Sequence, residues 1–209
     1  MTKFTDLVRG YHRFHDTDWT RQRSRWAELA EGQSPKVMVI ACSDSRVDPT
    51  AIFDAAPGEM FVVRNVANLV PPFETGGGHH GVSAALEFAV TQLEVPEVLV
   101  LGHGSCGGVG AALSRKFEGA EQGAGGFVAD WIDLLDEARE RVVAEHGDGP
   151  KAVRALELET VRVSLANLRT FPWVAEREAA GKLKLHGALF AIDDGVLHVM
   201  DSDGNFAPA

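Results

Sequence analysis

The chain has 209 residues, 45% of them hydrophobic and 24% charged, which is enough for one substantial core and ordinary for a soluble globular protein rather than a disordered one. Asp and Glu number 30 against 20 Lys and Arg, for a net charge of −10, and the basic residues, Arg21, Arg23 and Arg25 among them, form no stripe to track a phosphate backbone, so no nucleic-acid partner is expected. The amino terminus, MTKFTDLVRG, lacks the apolar run of a signal peptide, and no segment is long enough to span a membrane; a cytoplasmic protein with no membrane partner is expected.

Residues 4–30 carry Phe4, Leu7, Val8, Tyr11 and Phe14, then Trp26 and Leu29, at helical spacing around a polar Asp16-Thr17-Asp18 interruption, which predicts two helices forming an N-terminal arm over 1–30. After Pro35, the run Val37-Met38-Val39-Ile40-Ala41 reads as a strand buried on both faces. Met60 to Val63 predicts a second strand and residues 81–93 a helix. Pro96 breaks that pattern, and Val98-Leu99-Val100-Leu101 makes a third buried strand ending in Gly102-His103-Gly104-Ser105-Cys106. A helix is predicted over 109–117, then a loop over 119–126. Phe127, Trp131, Leu134, Leu135, Ala138 and Val142 mark one helical face, residues 151–169 another helix, and 185–192 with 196–200 a terminal hairpin about Asp193-Asp194-Gly195. Strands alternating with helices predict an α/β fold: a single domain over 1–209 with a central, mostly parallel sheet flanked by helices and an antiparallel edge.

The polar residues suited to chemistry follow two buried strands at their C-terminal ends, where open α/β sheets bind ligands. The first group is Cys42-Ser43-Asp44-Ser45-Arg46 and the second is His103-Gly104-Ser105-Cys106-Gly107-Gly108. Alone, Cys42 reads as a small buried hydrophobe, His103 and Cys106 as a chance pairing, and Asp44 with Arg46 as a turn ion pair. Together, the chain's only two cysteines lie at equivalent strand ends beside a histidine. Two thiolates and one imidazole suit Zn2+, and three protein ligands with one exchangeable position are the pattern of a catalytic zinc. Asp44 either supplies the fourth ligand, in a closed state, or faces the open position, and a bidentate pair with Arg46 decides between the two.

The stretches Ala41-Cys42-Ser43-Asp44-Ser45-Arg46-Val47, Phe61-Val62-Val63-Arg64-Asn65-Val66-Ala67-Asn68 and Gly102-His103-Gly104-Ser105-Cys106-Gly107-Gly108 resemble the β-class carbonic anhydrases in order and interval. The resemblance runs from about residue 31 to residue 206. It implies a zinc enzyme in which Cys42, His103 and Cys106 bind the metal while Asp44 and Arg46 form a catalytic dyad. The implied reaction is reversible hydration of carbon dioxide to bicarbonate by a zinc-bound hydroxide that Asp44 orients. Two alternatives use the same residues: hydrolysis of a carbon dioxide analogue such as carbonyl sulfide or carbon disulfide, and a non-catalytic module binding zinc or bicarbonate.

By similarity to plant-type members, Gln33, Phe61, Val66, Phe88 and the Gly107 amide line the substrate pocket. Phe88 stands where many plant-type enzymes have tyrosine, so a pocket hydroxyl is missing. Val39 stands where some bacterial members use a tryptophan to hold an inhibitory bicarbonate, which implies an open site with Asp44 paired to Arg46. His79 or His80 could relay the released proton, although a solvated-loop role is the plainer reading. Kinship also implies a homodimer or higher homo-oligomer.

Overall fold

In the computed structural model, which describes residues 2–76 and 78–209, the chain forms two compact units, one ending at Ser34 and the other Pro35–Ala209. The N-terminal unit holds α1 (Phe4–Phe14) and α2 (Arg23–Glu31), with a wide helical turn at His15–Trp19. That turn contains the Asp-Thr-Asp interruption. Phe14 meets Trp26 edge-on at 5.7 Å between ring centroids, while Phe4, Leu7 and Tyr11 remain exposed on α1.

The second unit is built on a six-stranded sheet of order β2-β1-β3-β4-β5-β6, comprising β1 (Val37–Cys42), β2 (Met60–Asn65), β3 (Glu97–His103), β4 (Lys184–Phe190), β5 (Leu197–Met200) and β6 (Phe206–Pro208). The first four strands pair in parallel, and β5 and β6 add antiparallel pairs at one edge. The helices are α3 (Pro49–Ile52), α4 (Gly81–Glu87), α5 (Gly107–Ser114), α6 (Gly126–Ile132), α7 (Asp136–His146), α8 (Pro150–Leu168) and α9 (Pro172–Ala179).

The mostly parallel sheet with an antiparallel edge agrees with the expectation; several boundaries do not. α5 starts at Gly107, two residues before the expected start, since Gly107 and Gly108 carry no side chain that would show a helical period, and it stops early because Arg115 turns left-handed at φ +51°. The single face expected over 127–142 is two helices joined by a 3-10 turn at Asp133–Leu135. Such a turn keeps residues three apart on one side, so the apolar spacing runs through the break. The pattern over 81–93 widens after α4 into a π-type turn at Phe88–Gln92. Pro172, which reads as a stop, is instead the first residue of α9, where its missing N–H is no loss. The same logic starts α3 at Pro49, with the Asp48 carboxylate accepting from the Thr50 and Ala51 amides at 2.9 and 3.3 Å. Strand β6 was not expected.

Strand alternation sorts the core. Met38, Ile40, Val98 and Val100 pack with Val161, Leu165 and Leu168 of α8 and Leu86 of α4, and Val39, Ala41, Leu101 and Ala188 line the other face. A third cluster, rich in residues of α5, α7 and the start of α8, gathers around Cys42 and Cys106. Helix α8 lies close on the sheet because Gly102 and Gly187 face it: a Cβ at either would stand 2.8 Å from a Val161 methyl. Only a missing side chain allows that approach.

Candidate metal centre

The parallel register sets Ala41 beside Leu101, so the ends of β1 and β3 bring Cys42 and His103 together. Chain reversal after β3 returns Cys106 to the same place as the N-cap of α5. The three ligand atoms lie within 4.8 Å of one another, and the two sulfurs are 4.0 Å apart. All three residues are buried, at 5%, 2% and 3% exposure. His103 Nδ1 lies 2.9 Å from the Gly104 carbonyl oxygen; a carbonyl only accepts, so Nδ1 carries the proton and Nε2 presents its lone pair. That Nε2 is buried and makes no hydrogen bond to the protein. A buried acceptor with no partner is costly unless something electron-poor meets it, and a divalent cation between two sulfurs and this nitrogen fits the donor set.

The three side chains divide their protons unevenly. Cys42 is pulled down to about 4, first by the hydrogen bond from Cys106 and against its own burial, then by the nearby His103 ring and the Asp44 and Ala67 amides. The same hydrogen bond, then burial, pushes Cys106 up. Burial, the largest single influence, opposes a charged His103 ring, but Cys42, the Gly104 carbonyl and Asp44 together outweigh it and raise the histidine.

Beside this cluster, Arg46 grips Asp44 in a fork, Nε to Oδ1 at 2.9 Å and Nη2 to Oδ2 at 2.6 Å, and its own amide donates to Oδ1 at 3.0 Å. The Arg46 side chain thereby holds the Asp44 carboxyl well below the usual carboxylate range. Behind the loop, Arg64 donates from Nε to the Cys42 carbonyl at 2.9 Å, from Nη2 to the Asp44 carbonyl at 2.7 Å and from Nη1 to Asp48 at 2.9 Å. The turn after β2 is strained, with Ala67 at φ +61° and Asn68 at φ +48°. It is braced by the Trp131 indole donating to the Val66 carbonyl at 2.8 Å, by Asn65 bracketing Leu69, and by Ser164, whose hydroxyl donates to the Asn68 carbonyl at 3.0 Å.

A carbonic anhydrase family model matches residues 37–197 of the chain. The chain belongs to the β-class carbonic anhydrases. A chloroplastic β-carbonic anhydrase 5 of Arabidopsis thaliana is 36% identical over 193 residues, 91% of this chain; the match spans 62% of that relative's length. The solved structure of the β-carbonic anhydrase CcaA superposes with a TM-score of 0.89 at 30% identity, covering 98% of this chain and 91% of that one. One of two tetrameric β-carbonic anhydrases from Sordaria macrospora superposes with a TM-score of 0.79 at 27% identity, covering 94% and 96%.

Of the residues that carbonic anhydrase kinship implicates, Cys42, His103 and Cys106 converge, and Asp44 pairs with Arg46 beside them. The Phe61 and Phe88 rings meet at a 30° tilt with centroids 5.9 Å apart, and Val66 packs so near Gly108 that a Cβ there would stand 2.8 Å from its methyl. Gly107 opens α5 with free space where a side chain would be. Gln33 belongs to the N-terminal unit. His80 lies 3.1 Å from the Gly76 carbonyl and caps α4. Arg64, Trp131, Ser164 and Glu157 brace the site, yet motif spacing assigned them no role. Two had a visible signal: Arg64 is the lone charge in the strand Met60-Phe61-Val62-Val63-Arg64-Asn65, and Glu157 precedes Val161, Ser164 and Leu168 at helical spacing on a buried face.

Proposed function

We propose that the protein catalyses reversible hydration of carbon dioxide to bicarbonate and a proton, with zinc held by Cys42 Sγ, His103 Nε2 and Cys106 Sγ. The observation that carries this reading is the buried, unpartnered His103 Nε2 set among two sulfurs within 4.8 Å. When bound, the ion supplies Lewis acidity that makes a solvent molecule nucleophilic near neutral pH, an effect for which carbonic anhydrase is itself the standard example.

The chain's own groups orient the reactants. Asp44, kept ionised by Arg46, accepts a hydrogen bond from the attacking solvent and so turns its lone pair toward the carbon. Arg46 fixes the carboxylate's rotation through both of its oxygens. Phe61, Val66 and Phe88 offer apolar surface for carbon dioxide, and the Gly107 amide at the start of α5 donates to a bicarbonate oxygen. The proton leaves through solvent or through His79 or His80.

A homo-oligomer fits the exposed apolar face of α1 and the tetrameric Sordaria relative. No helix among the described residues is long and apolar enough to cross a membrane. A cytoplasmic location suits two ligand cysteines that must stay reduced.

Stopped-flow carbon dioxide hydration, paired with zinc analysis of the same sample, tests the reading. Activity and about one zinc per chain are expected together, with both lost in Cys42→Ser. Protein that holds zinc but hydrates no carbon dioxide would defeat the enzymatic assignment.

A further inference from the structure

Glu157 is the only buried acidic side chain among the described residues, at 4% exposure. Nothing in the hydration chemistry uses it. It projects from α8, and Oε1 accepts a hydrogen bond from the Cys106 backbone amide at 3.3 Å. Arg154 stands 3.8 Å from the other oxygen, too far for a well-formed hydrogen bond. Helix packing does not require a carboxylate here, because Leu156, Val161 and Leu165 already pack α8 into the core.

The peptide unit joining Ser105 to Cys106 explains the placement. Its carbonyl oxygen accepts from Arg46 Nη2 at 3.0 Å, and its N–H donates to Glu157. The two partners therefore hold opposite polar ends of one rigid plane. Ser105 sits at φ +56°, a conformation a non-glycine residue keeps only when its surroundings over-determine it. Cys106 is the N-cap of α5, but its side chain makes no capping hydrogen bond, so the amides of that first turn need acceptors from elsewhere. If the plane rotated, Cys106 φ would change and its sulfur would swing away from Cys42 and His103.

We propose that Glu157 is a positioning residue which, by accepting the Cys106 amide, pins the Ser105–Cys106 peptide and so aims the Cys106 sulfur at the metal. The inference rests on the reading that Cys106 binds zinc. Arg46, holding the other end of the same peptide, links the Asp44 carboxylate to the second ligand loop.

The test compares wild type with Glu157→Gln, which retains an acceptor oxygen, and with Glu157→Leu and Glu157→Asp, which abolish or withdraw it. Zinc stoichiometry of the wild type comes first, followed by the zinc dissociation rate into excess chelator, the sulfur-to-metal charge-transfer spectrum of the cobalt-substituted protein, and the melting temperature of metal-free protein. Expected are dissociation about tenfold faster or more in the Leu and Asp variants with a shifted cobalt spectrum, a near-wild-type rate and spectrum in Gln, and metal-free melting that stays close to wild type in the Asp variant. Should Leu fail to fold, Asp against Gln decides. Dissociation within twofold of wild type in Leu or Asp, an unshifted spectrum, or Gln as damaging as Leu would overturn the proposal. Wild-type protein that binds no zinc would instead remove the metal reading on which it stands.

Discussion

The Arg46 guanidinium donates to the backbone carbonyl of Ser105, 59 positions further along the chain, at 3.0 Å. Through that contact the loop after β1 and the loop after β3 are fastened to one another by the side chain that also forks onto Asp44. The orientation of the carboxylate and the placement of the second ligand loop are thus one mechanical unit.

Lysine at position 46 would keep a cation but lose the planar fork, since one ammonium cannot hold both Asp44 oxygens and the Ser105 carbonyl together. Arg46→Lys is expected to keep its zinc and to lose about 10- to 100-fold in kcat/KM for carbon dioxide hydration. Stopped-flow kinetics beside zinc analysis reads both, and an unchanged rate would show that the fork is dispensable.

Asp44→Asn leaves the three ligand atoms untouched. Zinc content should stay at the wild-type level while turnover falls by about 100-fold or more, because the amide can neither pair with Arg46 as an anion does nor accept the solvent's hydrogen bond with the same strength and orientation. Full turnover in this variant would mean that Asp44 does not orient the nucleophile.

Gly187→Ala places a methyl 2.8 Å from Val161, 3.0 Å from Leu165 and 3.3 Å from Met200. Overpacking between α8 and the sheet should cost about 1–3 kcal/mol in urea unfolding. Adding Val161→Ala should return part of that loss, giving a coupling energy that reports their contact. Purely additive effects would mean that the helix simply moves away.

Asp48 titrates below the ordinary carboxylate range. The Thr50 hydroxyl is the chief cause, burial opposes it, and the Ala51 and Thr50 amides and then Arg64 assist. Its folded pKa lies under its unfolded value, so its stabilisation is complete above about pH 4 and fades as pH falls through the folded value. Asp48→Ala should therefore cost about 1 kcal/mol near neutral pH, as loss of a helix cap does, and progressively less in acid. A gap between the two proteins that stays constant from pH 7 to pH 3 would contradict this account.

The buried strands were legible because Val37 to Ala41 and Val98 to Leu101 are short, valine-rich apolar runs that each follow a proline, Pro35 and Pro96, as strands covered on both faces do. Cys42, His103 and Cys106 were legible because few arrangements of two distant cysteines and a histidine at strand ends serve anything but a metal. The short helices α3 and α9 have too few turns to show a period, and their boundary prolines read equally well as breaks.

Residue chemistry alone determined which groups the centre contains, since thiolate, imidazole, carboxylate and guanidinium carry their properties wherever they stand. Tertiary structure decided how those groups are held. Arg64 reaching two loop carbonyls, Ser164 bracing Asn68, and Arg46 and Glu157 gripping opposite ends of one peptide are contacts between segments far apart in sequence. No local pattern encodes such pairings, because hydrogen bonds of this kind depend on distance and angle after the chain has folded.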